Sequence, residues 1–300
     1  MKLEIRGLSM FRYIVFIILF LHLIPALAVQ AETSEHKLQV VVTIPVLADF
    51  VRNIGENIVS VNSIISGLEN PHTYEPKGSD VKSLAKAGLF VQVGLGLETW
   101  SDKLVRNSGN PQLIQVTASR NCAVINNNPH VWMDIDNARK MVAAITDAMT
   151  RADPVHSGEF RQNSGRYDKQ LLKLDQMIKR DLSSFSGRAI ITAVPAFSYF
   201  LRHYGIEEAA TIITLPGKEP SGRHIRDIIT LMRKRRIKVI LTVPQFSPRL
   251  PDMIAEETGA VVIEATQLPG SLPGTETYIS MLKEDARKIV DAIGEENRSQ

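Results

Sequence analysis

The chain has 300 residues, 35 lysines and arginines against 32 aspartates and glutamates, 44% apolar side chains and a single cysteine, Cys122. Near-neutral charge with both signs interspersed argues against nucleic acid as a partner, which would call for a basic face, and one cysteine excludes an internal disulfide. Stability must come from burial, and a chain of this length can form two domains with cores of their own.

Residues 1–31 read as a secretory leader. Lys2, Arg6 and Arg12 give a positive start, Tyr13 to Leu27 is almost unbroken apolar sequence, and Val29-Gln30-Ala31 fits a cleavage site ending after Ala31. The apolar run is shorter than the ~20 residues of a spanning helix, so a cleaved signal peptide is expected rather than an anchor. No cysteine borders the site, so the exported protein is expected to be periplasmic and not a lipoprotein. Cleavage removes three basic residues and one acid, which leaves the mature chain close to neutral.

After the leader, Leu38 to Ile44 is β-branched and apolar, the pattern of a buried strand. Pro45 opens a helix over Val46 to Ile54, stopped by Gly55. Ile58 to Ile65 reads as a strand, Val81 to Ala87 as a short helix behind Ser79-Asp80, and Leu89 to Val93 as a third strand. Short apolar strands alternating with short helices point to βαβ units on a parallel sheet. Gly94-Leu95-Gly96 lacks the third glycine of a dinucleotide fingerprint and is read as a strand-to-helix turn.

Asp136 to Met149 is helical. From Ser157 to Leu182, Phe160, Tyr167, Leu171, Leu174, Ile178 and Leu182 recur on one helical face. At 1.5 Å per residue such a helix spans about 39 Å, long enough to connect two domains. A second alternating region follows, with a strand at Ala189 to Ala193, a helix at Ala196 to Tyr204, a Ser221-capped helix over Gly222 to Arg235, and a strand at Ile237 to Val243. A helix over Pro251 to Thr258, a strand over Ala260 to Glu264 and a closing amphipathic helix over Thr277 to Ile293 complete it. The basic run Arg233 to Arg236 is read as a solvated helix end. The expected fold is α/β, with two parallel-sheet lobes joined by one long helix and a ligand cleft between them. The expected limits are 1–31 for the signal peptide, 32–153 and 185–300 for the lobes, and 154–184 for the connector.

Two short motifs carry the chemistry. Asn70-Pro71-His72-Thr-Tyr-Glu75-Pro and Asn128-Pro129-His130-Val-Trp-Met-Asp134 each place a histidine directly after a proline, on a loop beyond an apolar stretch. Ligands in open α/β sheets bind at such loops, and divalent transition metals favour imidazole. Only a fold can bring two histidines so far apart in sequence together.

With Gly94-Leu-Gly-Leu-Glu98-Thr-Trp100, Pro195-Ala-Phe-Ser-Tyr-Phe200, Tyr204-Gly205, Glu219-Pro-Ser221 and Pro244-Gln-Phe-Ser247 in the same order, the chain resembles the periplasmic metal-binding proteins of zinc and manganese ABC importers, the zinc-uptake and TroA-like group. The resemblance covers nearly all of the mature chain. It implies two lobes flanking one long helix, a metal ion in the cleft between them, and a membrane permease as partner. Four side chains hold the metal in that family. Two match His72 and His130. The third position is Val194 here and the fourth aligns with Thr266, neither of which is a zinc ligand, and a further family glutamate is Val243. The histidine-rich loop of many members is missing from Asn121 to Asn128.

Glu264 and Cys122 remain as possible additional ligands. Glu75 and Asp134 are expected to orient the imidazoles from behind, as carboxylates do around metal-bound histidines. His36, His156, His203 and His224 are expected at the surface. No nucleophile elbow or Ser-His-Asp set is present, so no enzyme is expected. The reading is a monomeric periplasmic solute-binding protein that captures a divalent metal as cargo, zinc ahead of manganese. Its alternatives are the same fold taking a metal–chelate through His72 and His130, with a small molecule supplying the missing ligands, and a non-transporting paralogue.

Overall fold

A computed structural model of the protein describes residues 37–215 and 217–298. The expected signal peptide lies outside the described residues. Among those described, no helix is long and apolar enough to cross a membrane.

The first sheet is built from β1 (Leu38–Val42), β2 (Val59–Ser63), β3 (Leu89–Gln92) and β4 (Ile114–Thr117), all parallel in the order β2-β1-β3-β4. Val40, Val41 and Val42 are 3% exposed or less, as a central parallel strand covered on both faces requires. Helices α1 (Pro45–Gly55), α2 (Gly78–Ala85) and α3 (Ser101–Ser108) supply the crossovers. Pro45 stands in the first turn of α1, where its missing N–H breaks no helical bond.

Two long helices follow. In α4 (Ile135–Ala152) the Asp134 carboxylate caps the start, accepting from the N–H groups of Asp136 and Asn137. The connector α5 (Ser157–Leu182) buries Phe160, Tyr167, Leu171, Leu174, Ile178 and Leu182, the stripe expected from the sequence.

The second sheet repeats the first. It contains β5 (Ala189–Thr192), β6 (Glu207–Thr211), β7 (Val239–Thr242) and β8 (Val261–Glu264), all parallel in the order β6-β5-β7-β8. Helices α6 (Ser198–His203), α7 (Gly222–Arg235) and α8 (Arg249–Thr258) cross over, and α9 (Tyr278–Arg298) closes the chain. The edge strands β4 and β6 were not expected, because Ile-Gln-Val-Thr and Glu-Glu-Ala-Ala-Thr offer no apolar run.

The two lobes are not separately cored. One apolar cluster runs through the first sheet, the buried face of α5 and the near face of the second sheet, taking in Phe197, Phe200, Val239 and Leu241. A smaller cluster, including Ile191, Ile225 and Ile240, covers the far face of the second sheet. Ile240 lies between Val239 and Leu241 and points the opposite way, as strand alternation dictates. Helix α9 packs on both β8 of its own lobe and α5, and Tyr278 meets Phe50 of α1 edge-on at 4.9 Å. At that junction the buried Asp49 carboxylate accepts from the Tyr167 hydroxyl at 3.0 Å and the Tyr278 N–H at 3.2 Å. Burial raises the Asp49 pKa despite these bonds.

Candidate functional site

Loops leaving the carboxyl ends of the strands in both sheets line a cleft of about 920 Å³. This is the usual ligand position in open α/β sheets.

His72 and His130 enter from the first lobe with their ring centroids 5.5 Å apart. The two motifs solve the same local problem identically. Asn70 Oδ1 accepts the His72 backbone N–H at 3.0 Å, and Asn128 Oδ1 accepts that of His130 at 3.0 Å. Each asparagine forms a side-chain turn over the intervening proline, whose fixed φ stiffens it. The first loop is held further by Trp100, whose indole N–H donates to the Pro71 carbonyl at 2.9 Å. Behind it, the turn at Gly94-Leu95-Gly96 has positive φ throughout, at 85°, 57° and 78°. The turn wraps the Glu98 carboxylate, which accepts from Val93 N–H, Gly94 N–H and the Thr43 hydroxyl. A side chain at Gly94 would come within 2.5 Å of Thr117 Cγ2, so only glycine fits there.

The tautomer of His130 follows from its neighbours. Asn128 Nδ2 donates to the Pro195 carbonyl of the second lobe at 2.6 Å, which fixes the amide orientation. Its Oδ1 then lies 2.7 Å from His130 Nδ1, and an amide oxygen can only accept. Nδ1 therefore carries the proton and Nε2 keeps its lone pair. Burial, with a smaller contribution from His72, lowers the His130 pKa to about 3. Burial lowers that of His72 as well, and its Nε2 is buried without a hydrogen-bond partner. Two neutral imidazoles are thus held side by side.

The opposite wall is different. Val194, only 6% exposed, lines the cleft together with Ile206, Ile213 and Phe246. Thr266 does not reach it. Its side chain is fully buried, and its hydroxyl bonds both the N–H and the carbonyl of Leu268. Val243 is 1% exposed within the core.

Several expected residues lie elsewhere. Glu264 ends β8 on an outer surface beside Lys288 and Asp291 and is not among the residues lining the cleft. Cys122 packs half-buried against α4, with Sγ 3.6 Å from the Asn137 carbonyl and its pKa raised by burial to about 11. It is not among the residues lining the cleft. Glu75 is exposed. Asp134 does not orient His130, since Asn128 fills that role. Asp134 caps α4 and stands 3.6 Å from His203 Nδ1.

His203 itself is not a surface group. Its side chain is 10% exposed, and Nε2 lies 2.8 Å from Asp175 of the connector. Burial works to lower its pKa, but the hydrogen bonds and charges of Asp134 and Asp175 outweigh that and raise it. Although ligand atoms of Asp134, Asp136 and His203 fall within 4.8 Å of one another, the capping bonds and the Asp175 pair account for the arrangement. His224 Nε2 lies 2.9 Å from the Thr211 carbonyl, and His156 Nδ1 lies 2.6 Å from Asp153.

Three residues on the second-lobe wall were missed from the sequence. They are Glu208, whose carboxylate accepts from the Thr192 and Ser198 hydroxyls at 2.6 Å each, and two glutamines, Gln245 and Gln267. Gln245 had a visible signal in the Pro-Gln-Phe motif, whereas the other two had none.

Comparison with known proteins gives a consistent picture. The family model described as ZnuA, zinc-uptake complex component A, periplasmic, matches residues 40–292. The manganese-binding lipoprotein MntA of Halalkalibacterium halodurans is 25% identical over 295 residues, covering 93% of this chain and 98% of its own. The high-affinity zinc uptake system protein ZnuA of Bacillus subtilis is 24% identical, covering 88% and 90%. Among solved structures, the periplasmic zinc-binding protein TroA of Treponema pallidum superposes with a TM-score of 0.76 at 26% identity, covering 85% of this chain and 99% of its own. One expectation is corrected. MntA and other matching relatives, from Lactococcus lactis and from streptococci, are named lipoproteins, and they overturn the exclusion of a lipoprotein. That exclusion rested on the stretch around residue 31, outside the described residues.

Proposed function

Because the chain belongs to the family of periplasmic zinc-uptake A components, solute-binding proteins of metal ABC transporters and not enzymes, we propose that His72 and His130 capture its cargo, a divalent transition metal, in the interlobe cleft. The protein then presents that cargo, as a monomer, to a membrane permease. The working units are the lobes 32–153 and 185–300 about the connector 154–184. The observation that carries this reading is the meeting of two imidazoles from distant loops, one with an unpartnered Nε2 and the other with its tautomer fixed by Asn128. A neutral imidazole with its other nitrogen hydrogen-bonded is the form that binds metal. Nitrogen donors favour zinc over manganese.

Calorimetric titration of metal-stripped protein with zinc and then manganese tests this. One-to-one binding that vanishes in a His72→Ala/His130→Ala variant is the expected result. Binding that survives both substitutions would sink it.

The cleft volume and Val194 favour a second reading of the cargo. An ion alone fills little of about 920 Å³, a size typical of pockets for organic ligands. The apolar stretch of Val194, Ile206, Ile213 and Phe246 on the second wall suits a metal–chelate whose own donors replace the missing side chains. Binding that appears only when a chelator accompanies the metal separates this reading from the first.

A further inference from the structure

The second lobe has lost the family's protein ligands, but it does not lack oxygen donors. Gln267 and Gln245 both line the cleft, and the Oε1 atom of each is buried without a hydrogen-bond partner, as is His72 Nε2. Buried polar atoms are nearly always bonded, so two unpartnered carbonyl oxygens sharing a cleft with an unpartnered imidazole nitrogen require a common explanation. Gln267 is 3% exposed. Its main-chain carbonyl accepts the Trp132 indole N–H at 2.8 Å, and the Trp132 ring lies 5.3 Å from that of His130. One indole therefore ties Gln267 to the histidine side of the cleft. The turn in which Thr266 bonds Leu268 buries residue 266 and leaves residue 267 on the cleft wall. The aligned ligand position has thus moved along by one residue. Gln245 is held by its other end, with Nε2 donating to the Gly67 carbonyl at 2.6 Å and lying 3.3 Å from Ser271 Oγ. Its amide cannot flip without setting Oε1 against the Gly67 carbonyl.

We infer that Gln267 is the second lobe's donor to the cargo, its amide oxygen meeting the metal held by His72 and His130, or a water on that metal, with Gln245 Oε1 as a further acceptor. This inference rests on the function proposed above. Amide oxygens are ordinary donors to hard divalent cations and suit manganese better than zinc. A set of imidazoles and amides carries no charge, so it suits an ion that arrives with an anionic ligand of its own, for which the cleft has room.

The test is calorimetric titration with zinc, and with zinc plus citrate, of the wild-type chain, Gln267→Leu, Gln267→Glu and the double histidine variant. Gln267→Leu is expected to bind about 10- to 100-fold more weakly, the range for losing one supporting group at a metal site, with the metal-free melting temperature unchanged. Gln267→Glu keeps the shape, adds a negative charge and is expected to bind zinc alone more tightly than wild type. Gln267→Leu binding within twofold of wild type overturns the inference. Should that variant not fold, Gln267→Glu binding no tighter than wild type overturns it instead. Binding that persists in the double histidine variant defeats the underlying site, an outcome read independently of position 267.

Discussion

In each lobe the first strand lies second in a four-stranded parallel sheet, and each lobe turns the carboxyl ends of its strands toward the cleft. From this shared platform the first lobe presents two neutral imidazoles on proline-stiffened loops, while the second presents Val194, with Gln245 and Gln267 beside it on the cleft wall. The difference shows that fold and ligand set vary independently. A parallel sheet supplies the place for a site, and a few loop residues decide what binds there.

The largest test of this asymmetry removes one member from each wall. His130→Ala is expected to weaken metal binding by about 100- to 1,000-fold, since roughly a quarter of the ~10–16 kcal/mol of a complete four-ligand site goes with each ligand. Val194→Ala should leave affinity within a few-fold. Equal losses in calorimetry would mean that the walls contribute alike. Val194→His asks the reverse question. An imidazole on the second wall should raise zinc affinity about a hundredfold, and an unchanged Kd would place residue 194 too far from the ion.

Asn128→Ala is expected to act on both lobes at once. It removes the acceptor that fixes the His130 tautomer, with a loss of about 10- to 100-fold in affinity, and it deletes the bond to Pro195, for about 1 kcal/mol of stability. Asn70→Ala lacks the second contact and should show the smaller change in melting temperature.

The smallest effect concerns the frame. His203 has a raised pKa, so the stability from its protonated form is fully present below its unfolded value near 6.5 and is lost as pH rises through the folded value. His203→Gln should therefore cost about 1.5–3 kcal/mol at pH 6 and less at pH 8.5. Thermal denaturation across that range with parallel wild-type and mutant curves would count against the Asp134–His203–Asp175 link.

The same physical differences explain what could be read in advance. The connector stripe from Phe160 to Leu182 and the Val40-Val41-Val42 strand are legible because full burial demands an apolar pattern. Strands β4 and β6 are not, since the polar residues Gln115, Glu207 and Glu208 interrupt their apolar pattern, whereas the edge strands β2 and β8 keep enough apolar residues to be read. The pairing of His72 with His130 could be inferred from matching motifs. The group orienting His130 could not be assigned correctly, because Asp134 was the nearest carboxylate and its engagement at the α4 N-terminus is a fact of three dimensions. Asn128, repeated as Asn70 in the other motif, was the overlooked signal. Gln267 was hidden by its neighbour, since attention to the aligned Thr266 gave no hint that a local turn presents the next side chain instead.

One amide has a role that neither lobe holds alone. Asn128 donates to Pro195 across the cleft and accepts from His130 on its own side. Spreading the lobes enough to break the first contact removes one of the two bonds that orient the amide and leaves only the His130 backbone N–H to hold it. A cargo bound at His130 would by linkage favour the lobe arrangement in which the Asn128–Pro195 bond is made. A partner that prises the lobes apart would by the same relation weaken the grip on the ion, making delivery a matter of geometry without any chemical change in the metal.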